Sequence, residues 1–147
     1  MRAFTAVVLF FCSTLIPVHA EGWYINKRGE PTVMSDDGYW YMLLSRSAKG
    51  DVNAYLLPRN GVECKASGSS SSMYVNGTKL RWWQNCDPSM GMYWYAYTQA
   101  GITHLIGEFM RRQTVTIRDG SLTIVFSAVG FNDKARQFID DVADPGL

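Results

Sequence analysis

Apolar residues recur at helical spacing in two stretches of the C-terminal third of the chain. The first stretch predicts a helix near residues 101–112, because its apolar side chains share one face. That face consists of Ile102, Leu105, Ile106, Phe109 and Met110. The second stretch predicts a final helix, whose apolar side consists of Ala135, Phe138, Ile139 and Val142.

Between these two helices the pattern changes to the alternation of half-buried strands, at 114–117 and again at 122–126. Asp119–Gly120 joins the two runs, and this dipeptide favours a tight hairpin turn because Gly accepts positive φ. The C-terminal third is therefore predicted to fold as helix, hairpin and helix around one shared core.

Strand-like runs separated by turn signals fill the chain before the first helix. They are 39–44, 52–57, 62–66, 73–75, 78–84 and 90–97, with a short edge strand possible at Trp23–Ile25. Asn76–Gly77 is a strong hairpin signal, and Asn76–Gly77–Thr78 also matches a glycosylation sequon. The polar segment 26–38 and the Gly/Ser-rich run 67–72 predict loops, the second of them mobile.

Because strand follows strand through two thirds of the chain, the sheet should be mainly antiparallel. The sequence predicts an α+β fold that is mainly antiparallel β and sandwich-like. It has about seven strands, and its two helices lie toward the C-terminus.

Residues 1–20 have the pattern of a secretory signal peptide. Arg2 gives a positive start, an apolar run follows from Ala6 to Phe11, and Val18–His19–Ala20 resembles a cleavage site. The apolar run is too short to span a bilayer, and no later run is long enough. We therefore expect residues 21–147 to form one globular domain that is periplasmic or secreted.

Cys64 and Cys86 are the two cysteines that follow the predicted signal peptide. In an oxidising compartment such a pair usually forms a disulfide, and two free buried thiols are the alternative. The two cysteines lack the short spacing of a zinc site, so we predict no metal and no cofactor.

Charge and motifs argue against several functional classes. The chain has 14 basic and 13 acidic residues, and loss of Arg2 balances them, so nothing indicates nucleic-acid binding. His104 is the one histidine beyond the predicted signal peptide, and no G-x-S-x-G or phosphate-binding element accompanies it. The sequence predicts no catalytic residues, and a small hydrolase that uses His104 remains an alternative.

Aromatic residues cluster on the predicted strands, as at Trp82–Trp83 and Tyr93–Tyr95. Adjacent residues of a strand face opposite sides, so Trp82 and Trp83 cannot both point into a single-faced core. The aromatics either fill a second core layer or form an exposed patch for a protein or glycan partner. Our candidate binding residues are Trp82, Trp83, Tyr93 and Tyr95. Carbohydrate binding would predict coplanar exposed rings on one sheet face.

The stretch from Val75 to Val142 resembles the C-terminal half of the bacterial invasion-associated locus B family. A strand ending in Cys86 precedes a helix and a hairpin, and Gly130–Phe131 followed by Ala135 is similar to the element that opens the family's last helix. The family's usual second cysteine shortly after the first is absent here. The resemblance implies an exported envelope protein with a sandwich-like fold and no known catalytic residues.

Together these features predict an exported, non-enzymatic binding protein of the bacterial envelope or secretome. Its expected partner is a protein of the envelope or of a host, with a possible role in virulence. An inhibitor or immunity-type protein against a periplasmic enzyme is an alternative, which an exposed acidic cluster would favour. Asp36–Asp37 and the C-terminal aspartates are the only acidic clusters that the sequence offers.

Overall fold

The computed structural model describes residues 22–143, so the predicted signal peptide, residues 1–20, lies outside the described residues. Within them the chain forms eleven strands and two helices. In chain order these are β1 (Tyr24–Ile25), β2 (Pro31–Met34), β3 (Trp40–Arg46), β4 (Val52–Pro58), β5 (Gly68–Ser69), β6 (Met73–Val75), β7 (Thr78–Leu80), β8 (Trp82–Asp87), β9 (Gly91–Ala96), α1 (Gln99–Arg111), β10 (Thr114–Asp119), β11 (Leu122–Ser127) and α2 (Phe131–Ala143).

The strands form two sheets in which every pairing is antiparallel. The large sheet has seven strands in the order β1-β2-β3-β4-β9-β8-β5, and the small sheet has four in the order β11-β10-β6-β7. The prediction of a mainly antiparallel α+β fold with two C-terminal helices is confirmed. The predicted β10–β11 hairpin forms, but its two turn residues are Gly120 and Ser121, because Asp119 still pairs with Leu122 at the end of β10.

The predicted count of about seven strands is too low, because the missed strands depend on partners that are distant in sequence. The segment 26–38 contains β2, whose Val33 pairs with Met42, and the run 67–72 contains β5, whose Gly68 pairs with Gln84. The predicted strand 78–84 is divided at Arg81 between the two sheets. Strand pairing supplied by the tertiary structure here overrides local propensity.

The predicted strand 62–66 is not a strand in the structure. This segment instead runs beside the start of β9, where the Val62 carbonyl accepts from the Met92 N–H at 3.2 Å. Cys64 is joined to Cys86 with a Cα–Cα distance of 5.5 Å, so the predicted disulfide is confirmed. The disulfide is consistent with an oxidising compartment outside the cytoplasm. In the part of the chain that the structure describes, no helix is both long and apolar enough to cross a membrane.

One buried cluster joins both sheets and both helices. Trp23, just before β1, is central to it, since its ring lies 5.0 Å from that of Phe109 and 4.8 Å from that of Phe131. The backbone N–H of Trp23 donates to the Val129 carbonyl at 2.8 Å, which fixes the N-terminal strands to the start of α2. Met110, predicted on the apolar face of α1, is instead 56% exposed.

Asn76 connects α1 to the small sheet. It occupies the β6–β7 turn with φ of 45°, followed by Gly77 with φ of 85°, as a two-residue hairpin requires. Its side-chain oxygen accepts from the Thr116 N–H at 2.8 Å, and its side-chain nitrogen donates to Glu108 at 2.8 Å. Because both ends of the amide are used, the Asn76 side chain has a structural role in the turn.

The Glu108 carboxylate is buried at the same place and accepts hydrogen bonds from Asn76, Arg111 and Arg112. These donors stabilise the ionised form, and the Asn76 bond contributes most, so the pKa of Glu108 falls from 4.5 to about 2. The charged carboxylate therefore holds the end of α1 against the β6–β7 turn.

This lowered pKa predicts a specific loss of stability in acid. The stabilisation by Glu108 should be complete above about pH 4.5 and should disappear as the pH falls toward about 2. In this range the unfolded chain, in which Glu108 has the higher pKa, binds the proton more readily than the folded protein does. Free energies of unfolding from urea titrations at several pH values would measure this loss. Glu108→Gln should lower stability at neutral pH and flatten the pH dependence, with Asp51→Asn as an exposed control. Equal acid sensitivity of the Glu108→Gln and wild-type proteins would contradict the assignment.

Candidate binding surface

The pairing of β8 with β9 separates the predicted aromatic residues into two groups. Trp82 lies opposite Ala96 and Trp83 lies opposite Tyr95, so the two tryptophans point to opposite sides of the large sheet. Trp82 is 1% exposed and belongs to the core. Its burial removes Trp82 from the candidate binding residues, whereas Trp83, Tyr93 and Tyr95 share the outer side of the sheet and are half-buried.

Two further tyrosines extend this outer surface, which we call the aromatic face. Tyr55 lies on β4 opposite Tyr95, with its ring 5.6 Å from that of Tyr95 and 5.9 Å from that of Tyr93. Tyr97 follows β9 and is 51% exposed. The aromatic face therefore consists of Tyr55, Trp83, Tyr93, Tyr95 and Tyr97.

The rings of the aromatic face cover one another instead of forming a flat platform. Trp83 and Tyr97 are stacked, with centroids 5.2 Å apart and an interplanar angle of 19°. The Arg81 guanidinium lies 5.7 Å from the Tyr97 ring centroid, in a cation–π contact. Tyr93 and Tyr95 stack at 6.2 Å. Contacts with a partner would therefore be made largely by ring edges and phenol groups.

Two phenols of this surface, those of Tyr55 and Tyr95, are held in the protonated form that can donate a hydrogen bond. Burial raises the pKa of Tyr55, and the Tyr93 and Tyr95 phenols raise it further. Burial also raises the pKa of Tyr95, with smaller contributions from Tyr93 and Tyr97. The Tyr93 oxygen accepts from the Asn85 side-chain nitrogen at 2.8 Å, which leaves the phenol proton available to a partner.

Two neighbouring clefts, one of about 250 Å³ and one of about 640 Å³, lie on the outer side of the large sheet. Both are lined by Leu43 and Leu57 of the sheet, by Arg28 and Glu30 on the β1–β2 side, and by Met90 on the β8–β9 side. The smaller cleft also includes Tyr55 and Tyr93 and is therefore continuous with the aromatic face.

Hydrogen bonds in two turns shape these clefts. Arg28 reaches from the β1–β2 turn to the Met90 sulfur at 3.8 Å, which brings the two turns together over the sheet. Met90 is in turn positioned by Asp87, whose carboxylate accepts from the Ser89 N–H at 2.7 Å and the Met90 N–H at 3.1 Å. Hydrogen bonds from the Ser89 hydroxyl and the Ser89 backbone N–H hold the pKa of Asp87 below its ordinary value.

Cations dominate the walls of the two clefts. Lys27, Arg28, Arg46 and Arg59 line one or both of them, and Glu30 is the one acidic residue among the described residues that do so. The Glu30 carboxylate is held by Ser45 at 2.7 Å and Asn26 at 3.1 Å. No ion pair between described residues involves any of these five charged groups. The cleft walls are therefore complementary to an anionic partner.

His104 lies away from this surface, on α1, and is half-buried. Its Nε2 atom is buried and has no hydrogen-bond partner among residues 22–143. Acid–base catalysis by His104 would require a carboxylate or hydroxyl partner. In the described part of the chain, no such partner bonds to Nε2. The described residues also contain no group of three or more His, Cys, Asp or Glu side chains placed to hold a metal ion.

Tyr55, Tyr97 and the cleft cations were not predicted from the sequence. Strand alternation on 52–57 could have placed Tyr55 on one side of the sheet, but not on the side that Trp83 occupies. Arg28 and Arg46 carry no local signal, since their common position depends on the folding of β1–β4 into one sheet. Comparison of the chain with protein-family models, curated proteins and solved structures finds no match.

The different positions of Trp82 and Trp83 predict different costs of truncation. Trp82→Ala should destabilise the protein by about 3–5 kcal/mol, because it leaves a large cavity in the core. Trp83→Ala should cost about 1 kcal/mol, mainly the lost stacking with Tyr97. Urea titrations monitored by far-UV circular dichroism would measure both. Similar losses for the two variants would contradict the orientation of β8.

Proposed function

We propose that this chain is an exported, non-enzymatic binding protein of the bacterial envelope or secretome. Its aromatic face and the two neighbouring clefts bind an acidic segment of a protein partner. The observation that carries this proposal is the continuity of the half-exposed aromatic face with the smaller cleft, which shares Arg28 and Glu30 with the larger one. Together the walls of the two clefts hold four cations and one anion. Tyr, Trp and Arg are the residues that most often dominate binding energy at protein interfaces.

The arrangement of the rings favours a protein over a glycan at this surface. A flat sugar-binding platform needs ring faces open to the ligand, but Tyr97 stacks with Trp83 and contacts Arg81, and Tyr93 stacks on Tyr95. Ring edges and phenol protons instead suit the carbonyl and carboxylate groups of a polypeptide. The cation-rich clefts would speed the approach of an acidic partner and fix its register.

The other functional classes have less support. A hydrolase that uses His104 has less support because no group of residues 22–143 bonds to the buried Nε2 atom, where a catalytic base needs an activating partner. An inhibitor that presents acidic residues would need them free, but Asp37 accepts from the Ser35 hydroxyl and the Tyr39 N–H within the β2–β3 turn. The signal-peptide pattern and the disulfide support export. The resemblance to the invasion-associated locus B family supports an envelope or host-directed role.

The test is affinity capture from a bacterial envelope extract, with the oxidised protein from residue 21 onward as bait. Trp83→Ala/Tyr95→Ala removes part of the aromatic face, and Arg28→Gln/Arg46→Gln removes two cleft cations. Tyr74→Ala is the matched control, since it truncates a 44% exposed tyrosine on the small sheet. Urea titration of each variant establishes that it remains folded.

We expect the wild type and Tyr74→Ala to retain the same protein, and both double variants to bind it at least tenfold more weakly. Added salt or polyglutamate should compete with the captured protein, because the clefts contribute through charge. Retention by both double variants as strong as by the wild type would refute this surface as the binding site. The absence of any specific captured protein from envelope and host extracts would refute the function.

A further inference from the structure

A third cleft, of about 310 Å³, lies between the two sheets on the opposite side of β8 and β9 from the aromatic face. It is lined by Trp40, Gln84 and Trp94 of the large sheet and by Met73, Asp119 and Ile124 of the small sheet. We call it the inter-sheet cleft. Its volume is at the lower end of the roughly 300–1,000 Å³ that small-molecule sites occupy, so its ligand would be small.

The serine run 69–71 forms one wall of the inter-sheet cleft. Strand pairing holds this run in place, since Ser69 pairs with Trp83 and the Ser70 N–H donates to the Trp82 carbonyl at 3.0 Å. Ser71 then donates its hydroxyl proton to Asp119 at 3.1 Å and so joins the run to the β10–β11 hairpin. The Ser71 hydroxyl therefore lies beside a carboxylate at the wall of the cleft.

The polar groups of the cleft retain hydrogen-bonding capacity. Asp119 accepts from Ser71 through one oxygen, and no ion pair among the described residues involves its carboxylate. Gln84 donates its side-chain nitrogen to the Ala66 carbonyl at 2.9 Å, which leaves its side-chain oxygen free to accept. No Lys, Arg or His of the described chain lines this cleft. These acceptors suit a ligand with several hydroxyl protons and no negative charge.

The two indoles supply both apolar surface and donors. The Trp40 and Trp94 rings meet edge to face, with centroids 6.1 Å apart and an interplanar angle of 66°. The indole N–H groups of Trp40 and Trp94 bond to no described residue. They also differ from the indole N–H groups of Trp23 and Trp82, which are buried without a partner. The Trp40 and Trp94 N–H groups are therefore reached by solvent and can donate to a ligand.

We propose that the inter-sheet cleft binds one neutral sugar unit. A pyranose ring has a face of C–H groups that matches an indole, and an edge of hydroxyl groups that can donate to Asp119 and Gln84. Apolar walls with a few convergent polar groups are the usual composition of such sites. This site uses other residues than the aromatic face, and it does not depend on the proposed protein partner.

The test is NMR titration of the ¹⁵N-labelled protein with methyl glycosides of glucose, galactose, mannose and N-acetylglucosamine. At least one glycoside should bind with a Kd of about 1 mM and should shift the Trp40 and Trp94 indole signals and the Gln84 side-chain amide signals. Asp119→Ala should weaken binding at least tenfold, and Ser71→Ala serves as a milder second variant. Met110→Ala, which truncates a 56% exposed side chain on α1 outside the cleft, should leave the Kd unchanged.

Three results would overturn the proposal. They are no shifts with any of the four glycosides, shifts confined to the aromatic face, and a Kd unaffected by both Asp119→Ala and Ser71→Ala. Tetramethylammonium chloride is added as a competing class of probe, because a carboxylate beside two indoles could also attract a cation. Tighter binding of that cation than of every glycoside would show that the cleft is an ammonium site instead.

Discussion

The antiparallel pairing of β8 with β9 is the constraint on which the rest of the structure depends. It runs from Trp82 opposite Ala96 to Asp87 opposite Gly91, and a shift of one residue would turn every side chain of one strand to the other side of the sheet. Burial of Trp82 in the shared core prevents such a shift, because a fully buried indole has no equivalent position on the outer side. The disulfide at Cys86 and the Asp87 turn hold the other end of the same hairpin.

This hairpin gives the protein two chemically different surfaces. On its outer side, Trp83, Tyr93 and Tyr95 present stacked rings and phenol groups beside clefts with cationic walls. On its inner side, Gln84 and Trp94 reach the opening between the sheets, where Asp119 is the acidic group. A charged polypeptide suits the first surface and a small neutral ligand suits the second. The two surfaces lie on opposite sides of the same sheet and use different side chains, so a substitution can alter one and leave the other intact.

The helices and the N-terminal segment keep the two sheets together around this hairpin. Glu108 ties α1 to the β6–β7 turn through Asn76, while Trp23 ties the N-terminal strands to α1 and α2 through ring contacts. The N-terminal strands in turn bring Arg28 over the large sheet to Met90. The shape of the clefts thus depends on core contacts that lie on the other side of the large sheet. A substitution that weakens these core contacts should therefore also change the shape of the clefts.

Local patterns were sufficient for the parts of the fold that are close in sequence. The spacing of Leu105 and Phe109, the Asn76–Gly77 turn and the glycine of the β10–β11 turn predicted features that the structure contains, because side-chain periodicity and positive φ act over short distances. The Cys64–Cys86 disulfide was predicted from the cysteine count and the expected compartment, since the two cysteines are 22 residues apart. The same alternation showed that Trp82 and Trp83 must face opposite sides. Only the tertiary structure decided which of the two faces the core, since that depends on where β8 lies among seven strands. The pairing of β2 and β5 and the meeting of Arg28 with Met90 likewise arise from contacts between distant residues, which no local pattern records.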